Sequence, residues 1–242
     1  MRLSLKSLGM SAITILLAFA VVAVAHAETS ARLRRRPAIE VPRPAPPGTR
    51  VAVLGDSITF LSEGAFRERF AARAFDVSVI SGISGIRSDE RVTEGPALLV
   101  GTAPRVLVLE LGTNDVGTFL AAHPAPTPAE RAANAAAVAD NQRRIVDAVG
   151  PSVQCVVVVN VSGNTMSTLA NQVAHDESAA LADWAHADAR VRIADWDAVL
   201  GYELASGEPR GSMTTDMVHP TPYGATRLAR LVEGTIDACA LT

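Results

Sequence analysis

From Arg105 to Leu111 the chain reads RVLVLEL, a near-continuous apolar run without the alternation of a strand that keeps one face in water. Such a run suits a strand buried on both faces, the situation of inner strands in a parallel sheet covered by helices. Val153 to Val161, VQCVVVVNV, gives the same signal more strongly. Between and around these runs lie stretches with helical spacing. Strand and helix therefore alternate down the chain, which argues for an α/β fold with a parallel sheet covered on both sides.

Five strands are expected, at Arg50 to Gly55, Asp76 to Ser81, Arg105 to Leu111, Val153 to Val161 and Arg190 to Trp196. The first helix is expected from Phe60 to Phe75, where Phe66, Phe70 and Phe75 share one stripe. A second should run from about Asp89 to Val100. After a loop holding Phe119 and His123, Thr127-Pro128-Ala129-Glu130 combines a capping box with proline at the first helical position, opening a helix that runs to Val149. A helix from about Ser167 to Ala187 follows, then a polar loop from Gly201 to Thr215. The last helix has Pro222 in its first turn and an apolar stripe of Leu228, Leu231, Val232 and Thr235.

The N-terminus carries Arg2 and Lys6, an apolar segment from about Met10 to Ala25, and Ala25-His26-Ala27 before Glu28. That is the pattern of a secretory signal peptide over residues 1–27, with a membrane anchor as the alternative. Residues 28–49, rich in Pro and Arg, read as an extended linker. The net charge is −3; residues 1–50 hold seven Arg and one Lys against two Glu, a net of +6, so the remainder stands at −9. An acidic globular part argues against nucleic acid as a partner. The basic linker reads as a solvated tether, with contact to an anionic envelope surface as the other possibility. About 190 residues remain, enough for one domain over residues 50–242. The two cysteines, Cys155 and Cys239, belong to a chain expected outside the cytoplasm, where disulfides persist. Cys155 lies near the start of its strand, and the last helix should carry Cys239 toward the same edge. A disulfide and two buried thiols both fit the apolar patterns around them.

Chemistry gathers where strands end. Gly55-Asp56-Ser57-Ile58-Thr59 places a serine at a strand-to-helix turn, where it serves either as a helix cap or as a nucleophile. A hydroxyl needs a base within hydrogen-bond reach, and the base needs an acceptor that fixes its tautomer. Asp216 and His219, three apart on a turn, can supply both, or can simply cap the final helix. Ser57, Gly85, Asn114 and the Asp216/His219 pair all fall in loops that a parallel sheet would gather along one edge.

The segments Gly55-Asp56-Ser57-Ile58-Thr59, Gly82-Ile83-Ser84-Gly85, Gly112-Thr113-Asn114-Asp115 and Asp216-Met217-Val218-His219-Pro220 resemble, in order, the four signature blocks of the SGNH, or GDSL-type, hydrolases. The resemblance implies a flavodoxin-like three-layer α/β/α sandwich with five parallel strands. It implies Ser57 as nucleophile, His219 as general base and acid, and Asp216 as the carboxylate that orients the histidine. The oxyanion hole would be the N–H groups of Ser57 and Gly85 with the side-chain amide of Asn114. Met217 stands where the family often has glycine, which should affect loop conformation more than chemistry.

Rival chemistries lack their motifs. Thr59 occupies the place of the second glycine of a Gly-x-Ser-x-Gly elbow, and no Gly-x-Gly-x-x-Gly is present. Lys6 is the only lysine, so no phosphate-loop lysine exists in the globular part. His123, His175 and His186 are scattered without metal spacing. No cofactor and no metal are expected. The expected function is a secreted or envelope serine esterase acting on small acyl or acetyl esters of small molecules, glycans or lipids. An O-acyltransferase using the same serine and a silent envelope-binding module of the same fold are the alternatives. Substrate choice should lie in the loops around Val116 to Thr127, Ser162 to Thr168 and Gly201 to Thr215, whose few aromatics argue against a long stacking groove for polysaccharide.

Overall fold

The computed structural model describes residues 45–164, 167–206, 212–239 and 241; the expected signal peptide and nearly all of the linker lie outside these. Five strands, β1 (Arg50–Gly55), β2 (Asp76–Gly82), β3 (Val106–Glu110), β4 (Cys155–Val159) and β5 (Val191–Ala194), pair in the order β2-β1-β3-β4-β5. Every pairing is parallel. This is the flavodoxin-like arrangement, in which the strand order reverses between β1 and β3 and opens a crevice at their carboxyl ends.

Alternate residues of each strand feed opposite cores. Val51, Val53, Val106 and Val108 face one layer, where they meet Phe66 and Phe70 of helix α1 (Ser57–Ala72). Ala52, Leu54, Leu107 and Leu109 face the other, beneath helices α2 (Ser88–Leu98), α4 (Pro128–Val149) and α5 (Thr168–Ala187). Helix α7 (Pro222–Asp237) covers the first layer with Leu228, Val232 and Ile236. Arg73, at the end of α1, reaches α7 through bonds to Glu233 at 2.6 Å and to Asp237 at 2.8 and 2.9 Å. The strands are also in step. Gly55 pairs with Gly82 on one side and Glu110 on the other, and Glu110 pairs with Val159. Four chain segments therefore leave the sheet at one level.

Three expectations need correction. Helix α1 begins at Ser57 rather than Phe60 and ends at Ala72, because Asp56 caps it and the chain must turn back to start β2. The expected loop from Val116 to Thr127 is largely helix α3 (Thr113–Ala122). Its glycine and short polar residues read as a turn, but Val116, Phe119 and Leu120 pack against Val161, Val173 and Ala174, and that burial decides the conformation. Likewise the start of the expected Gly201 to Thr215 loop belongs to helix α6 (Trp196–Ala205), capped by Asp195 and anchored by the buried Trp196 and Leu200. Residues 207–211 lie outside the described residues.

Cys155 and Cys239 form a disulfide, with Cα atoms 6.0 Å apart across 84 residues. It ties the start of β4 to the end of α7, so it closes the C-terminal part of the domain, from β4 onward, into one loop. In the chain-entropy description a loop of this length removes about 4–5 kcal/mol from the stability difference when opened. Replacing both cysteines by alanine should lower the unfolding free energy obtained from urea titration by that order, and reductant should do the same to the wild type. Two titratable thiols in unfolded, unreduced protein would contradict the bond.

Candidate active site

The sequence motif Gly-Asp-Ser folds as a strand end followed at once by a helix. Gly55 permits this, since a Cβ there would collide with the Thr59 hydroxyl one helical turn on. Asp56 is the cap, its Oδ1 accepting from the N–H of Ile58 at 2.8 Å. Ser57 is therefore the first helical residue and not the cap. The N–H groups of Ile58, Thr59 and Phe60 are taken by Asp56 Oδ1, Glu110 Oε2 and Asp56 O. The N–H of Ser57 is the one this first turn offers to a ligand, at the positive end of the helix dipole.

Ser57 Oγ lies 2.9 Å from His219 Nε2, and His219 Nδ1 lies 2.7 Å from Asp216 Oδ2. Asp216 Oδ1 also accepts the N–H of His219 at 2.7 Å and of Val218 at 3.1 Å. A tight turn makes this possible. Met217 adopts φ 72°, so the methionine holds, at a cost in strain, the left-handed conformation that a glycine would adopt freely. The bridge between Thr214 and Pro220 and the bond from Thr215 N to His219 O, 2.8 Å, close the turn from outside. Ser57 is 8% exposed and His219 36% on its side chain. Burial pushes the Asp216 carboxyl up, but the hydrogen bonds from His219 and Val218 outweigh it and hold the group below its ordinary value. Asp216 thus stays ionised where it can fix the tautomer of His219 and stabilise an imidazolium. A hydroxyl, an imidazole and a carboxylate in this line can generate a nucleophile at neutral pH.

Gly85 follows β2 at φ 81°, with open space around its Cβ position. Asn114 is in the first turn of α3, and its Nδ2 donates to Asp56 Oδ2 and to Ile86 O, each at 3.1 Å. The amide is thus brought to the serine's own turn, but both of its hydrogens are engaged. One bond must be exchanged or shared before it can serve a substrate oxygen. Asp115 holds the neighbouring helix, its carboxyl accepting from Ser88 N at 3.0 Å and Ser88 Oγ at 2.7 Å.

Glu110 was not legible as a site residue, because it sits inside an apolar run. The structure buries it directly under the serine turn, where Oε2 accepts from Thr59 N at 3.0 Å, Thr59 Oγ1 at 2.9 Å and Asp56 N at 3.3 Å. It is thus a direct neighbour of Asp56, whose own carboxyl holds the next donor of the same turn. Burial pushes Asp56 up to about 6, against the pull of the Ile58 N–H and of Glu110. Burial and the Asp56 charge drive Glu110 well above the carboxylate range. Glu177 is raised in the same way by burial, and its Oε2 has no hydrogen-bond partner.

Beside Ser57, on the side of α3 and α5, lies an apolar cavity of about 320 Å³ lined by Ile58, Val116, Gly117, Ala170, Trp196 and Met217, among others. This is at the small end of the range for ligand pockets. On the other side of Gly85 an open groove is lined by Ile83, Ser84, Glu90 and Glu94.

The profile of the GDSL-like lipase/acylhydrolase family matches residues 53–227. No curated protein matches the sequence. Among solved structures, a catalytic mutant of the acetylxylan esterase Axe2 from Geobacillus stearothermophilus is similar at 17% identity and TM-score 0.62, over 81% of this chain and 97% of that one. The lipase Lip_vut3 from a goat rumen metagenome is similar at 16% identity and TM-score 0.60, over 77% and 96%. A GDSL-like lipase from Bacteroides thetaiotaomicron is similar at 18% identity and TM-score 0.56, over 78% and 88%. At these identities the likeness is one of fold.

A carboxyl whose native pKa is raised binds its proton more tightly when folded. The stability it adds is complete below the unfolded value and is lost as pH rises through the native one. Asp56, Glu110, Asp115 and Glu177 all shift this way. The melting temperature should therefore fall as pH rises from about 5 to 8. Glu177→Gln, which keeps the shape and removes the acid, should narrow that difference, each 1 kcal/mol recovered at pH 8 appearing as roughly 2–4 °C. Thermal melts at both pH values give the answer, and an unchanged difference in the variant would refute this origin.

Proposed function

This chain belongs to the GDSL-like lipase/acylhydrolase family, and we propose that it is an exported serine esterase that works through an acyl-enzyme on Ser57. The observation that carries the reading is the unbroken line from Ser57 Oγ through His219 to Asp216, at 2.9 and 2.7 Å. His219 Nε2 takes the serine proton as Oγ attacks the ester carbonyl. The imidazolium so formed is stabilised by Asp216 and returns its proton to the departing alcohol. Water, deprotonated by the same histidine, then releases the acid.

Charge develops on the carbonyl oxygen, and the Ser57 N–H at the start of α1 is positioned to receive it. Gly85 N–H supplies the second donor. The third is Asn114, which exchanges one of its bonds to Asp56 or Ile86 for the oxyanion. The cavity beside Ser57 supports an acyl chain longer than acetyl as the preferred group, seated among Ile58, Val116, Ala170 and Trp196. The alcohol part, small-molecule, glycan or lipid, would face the open side. Export rests on the N-terminal pattern, with the Cys155–Cys239 disulfide suiting an oxidising compartment.

Ser57→Ala should abolish turnover of p-nitrophenyl acetate, and serine-independent hydrolysis would sink the proposal. Asn114→Ala should lose on the order of a hundredfold or more in kcat with the fold intact. In a chain-length series from acetyl upward, kcat/KM should climb by about fourfold per methylene while the chain is being buried, then level off. Gly117→Leu, which fills the cavity from a position where a side chain meets open space, should move the plateau to shorter acids. A series that declines from acetyl would show that the cavity does not hold the acyl group.

A further inference from the structure

Asp56 and Glu110 are both inaccessible to solvent or nearly so, at 0% and 3% exposure, and each is committed to groups of the serine turn. Glu110 Oε2 gathers the N–H of Asp56 and both donors of Thr59; Asp56 Oδ1 holds the Ile58 N–H, and Asp56 Oδ2 holds the Asn114 amide. The two acids are immediate neighbours in one buried turn, with Glu110 Oε2 accepting the Asp56 N–H at 3.3 Å. None of the ion pairs among the described residues includes either of them. Two neighbouring carboxylates in a buried site without an ion-pair partner resist ionising together, so such a pair retains a proton. The geometry then links a residue of β3 that touches no substrate to the amide beside Ser57.

We propose that Glu110 is a positioning residue for the esterase reaction: it and Asp56 share one proton, and this protonated pair anchors the Asn114 amide and keeps a second negative charge from building up beneath the oxyanion. The inference rests on the reading of Ser57 and Asn114 given above. The charged groups bearing on Asp56 are His219, from the turn before α7, and Asp115, from α3. His219 favours the ionised form of Asp56 and Asp115 opposes it. Thr59, which closes the cluster on the α1 side, does not titrate in the neutral range. When the shared proton leaves to solvent at alkaline pH, the pair becomes doubly negative below the helix start. The Ser57 N–H and the Asn114 amide are then less effective toward a developing oxyanion. Activity should decline on the alkaline side for a reason separate from the titration of His219, whose deprotonation activates the serine.

The test is the pH–rate profile of wild type, Glu110→Gln and Glu110→Ala with p-nitrophenyl butyrate, beside infrared difference spectra of the same proteins. Glutamine keeps an acceptor for Thr59 and a permanent donor for Asp56, and it cannot ionise. Glu110→Gln should keep kcat within about threefold of wild type at pH 7 and lose the alkaline decline. Glu110→Ala should lower kcat at least tenfold with KM unchanged within about twofold. The infrared band of one buried protonated carboxyl should vanish in Glu110→Gln. A role in stability alone would lower the melting temperature of the variants and leave the pH profile as it is. The proposal is overturned by an alkaline limb that is the same in wild type and Glu110→Gln, or by protonated-carboxyl bands that are unchanged in intensity between wild type and Glu110→Gln. Turnover that survives Ser57→Ala would instead bring down the esterase reading, and the infrared result would still report on the shared proton.

Discussion

The site depends first on how α1 is held against α7. Ser57 opens α1, and His219 stands just before α7, so the 2.9 Å contact between them reports the register of those two helices. That register is set far from the chemistry. Phe66 and Phe70 pack with Leu228, Val232 and Ile236 on one face of the sheet, and Arg73 grips Glu233 and Asp237 at the other end of the pair. A shift of either helix by part of a turn would separate hydroxyl from imidazole without touching any reacting group. The disulfide from Cys155 to Cys239 pins the same end of α7 to the sheet.

On this frame the serine turn carries an unusual concentration of buried acid. The first-turn N–H groups after Ser57 are satisfied by Asp56 and Glu110, which leaves the serine's own N–H directed outward. Satisfying backbone donors with carboxylates stabilises the turn but places negative charge where the reaction also develops it. Burial eases the conflict by raising both groups, which favours a pair that holds one proton between them. The chain thus uses one pair of acids to cap a helix, seat an amide and limit the local charge.

Much of this was readable in the sequence. The near-continuous apolar runs located β3 and β4, because a strand covered on both faces has no position that solvent would keep polar; β1, β2 and β5 were placed by the alternation of strand and helix around them. The Asp216-x-x-His219 spacing allowed a carboxylate beside an imidazole nitrogen but also a helix cap, and only its company with Ser57, Gly85 and Asn114 favoured the bonded pair that the structure shows. Helix α3 was not readable: its segment contains Gly117 and opens with Gly-Thr-Asn-Asp, a turn composition, and only contact with Val161 and Val173 makes it helical. Helix α6 was missed for the same kind of reason. Glu110 was hidden by its surroundings, as a single acid in an apolar strand gives no sign of which face it lies on or what it meets.

The sequence by itself determined the class of fold, the order of its five strands and of the helices other than α3 and α6, and which residue types stand at the strand ends. These follow from local physics: periodicity, capping and the conformational limits of glycine and proline act within a few residues of one another. It left Ser57 divided between helix cap and nucleophile. The tertiary structure gave the cap to Asp56 and set the His219 imidazole 2.9 Å from Ser57 Oγ, and it also formed the apolar cavity beside the serine and the Asp56–Glu110 pair beneath it. Those features join β1, β3, α1, α3 and the turn before α7, segments separated by 50 to 160 positions, and only burial in a common core brings them within hydrogen-bond distance.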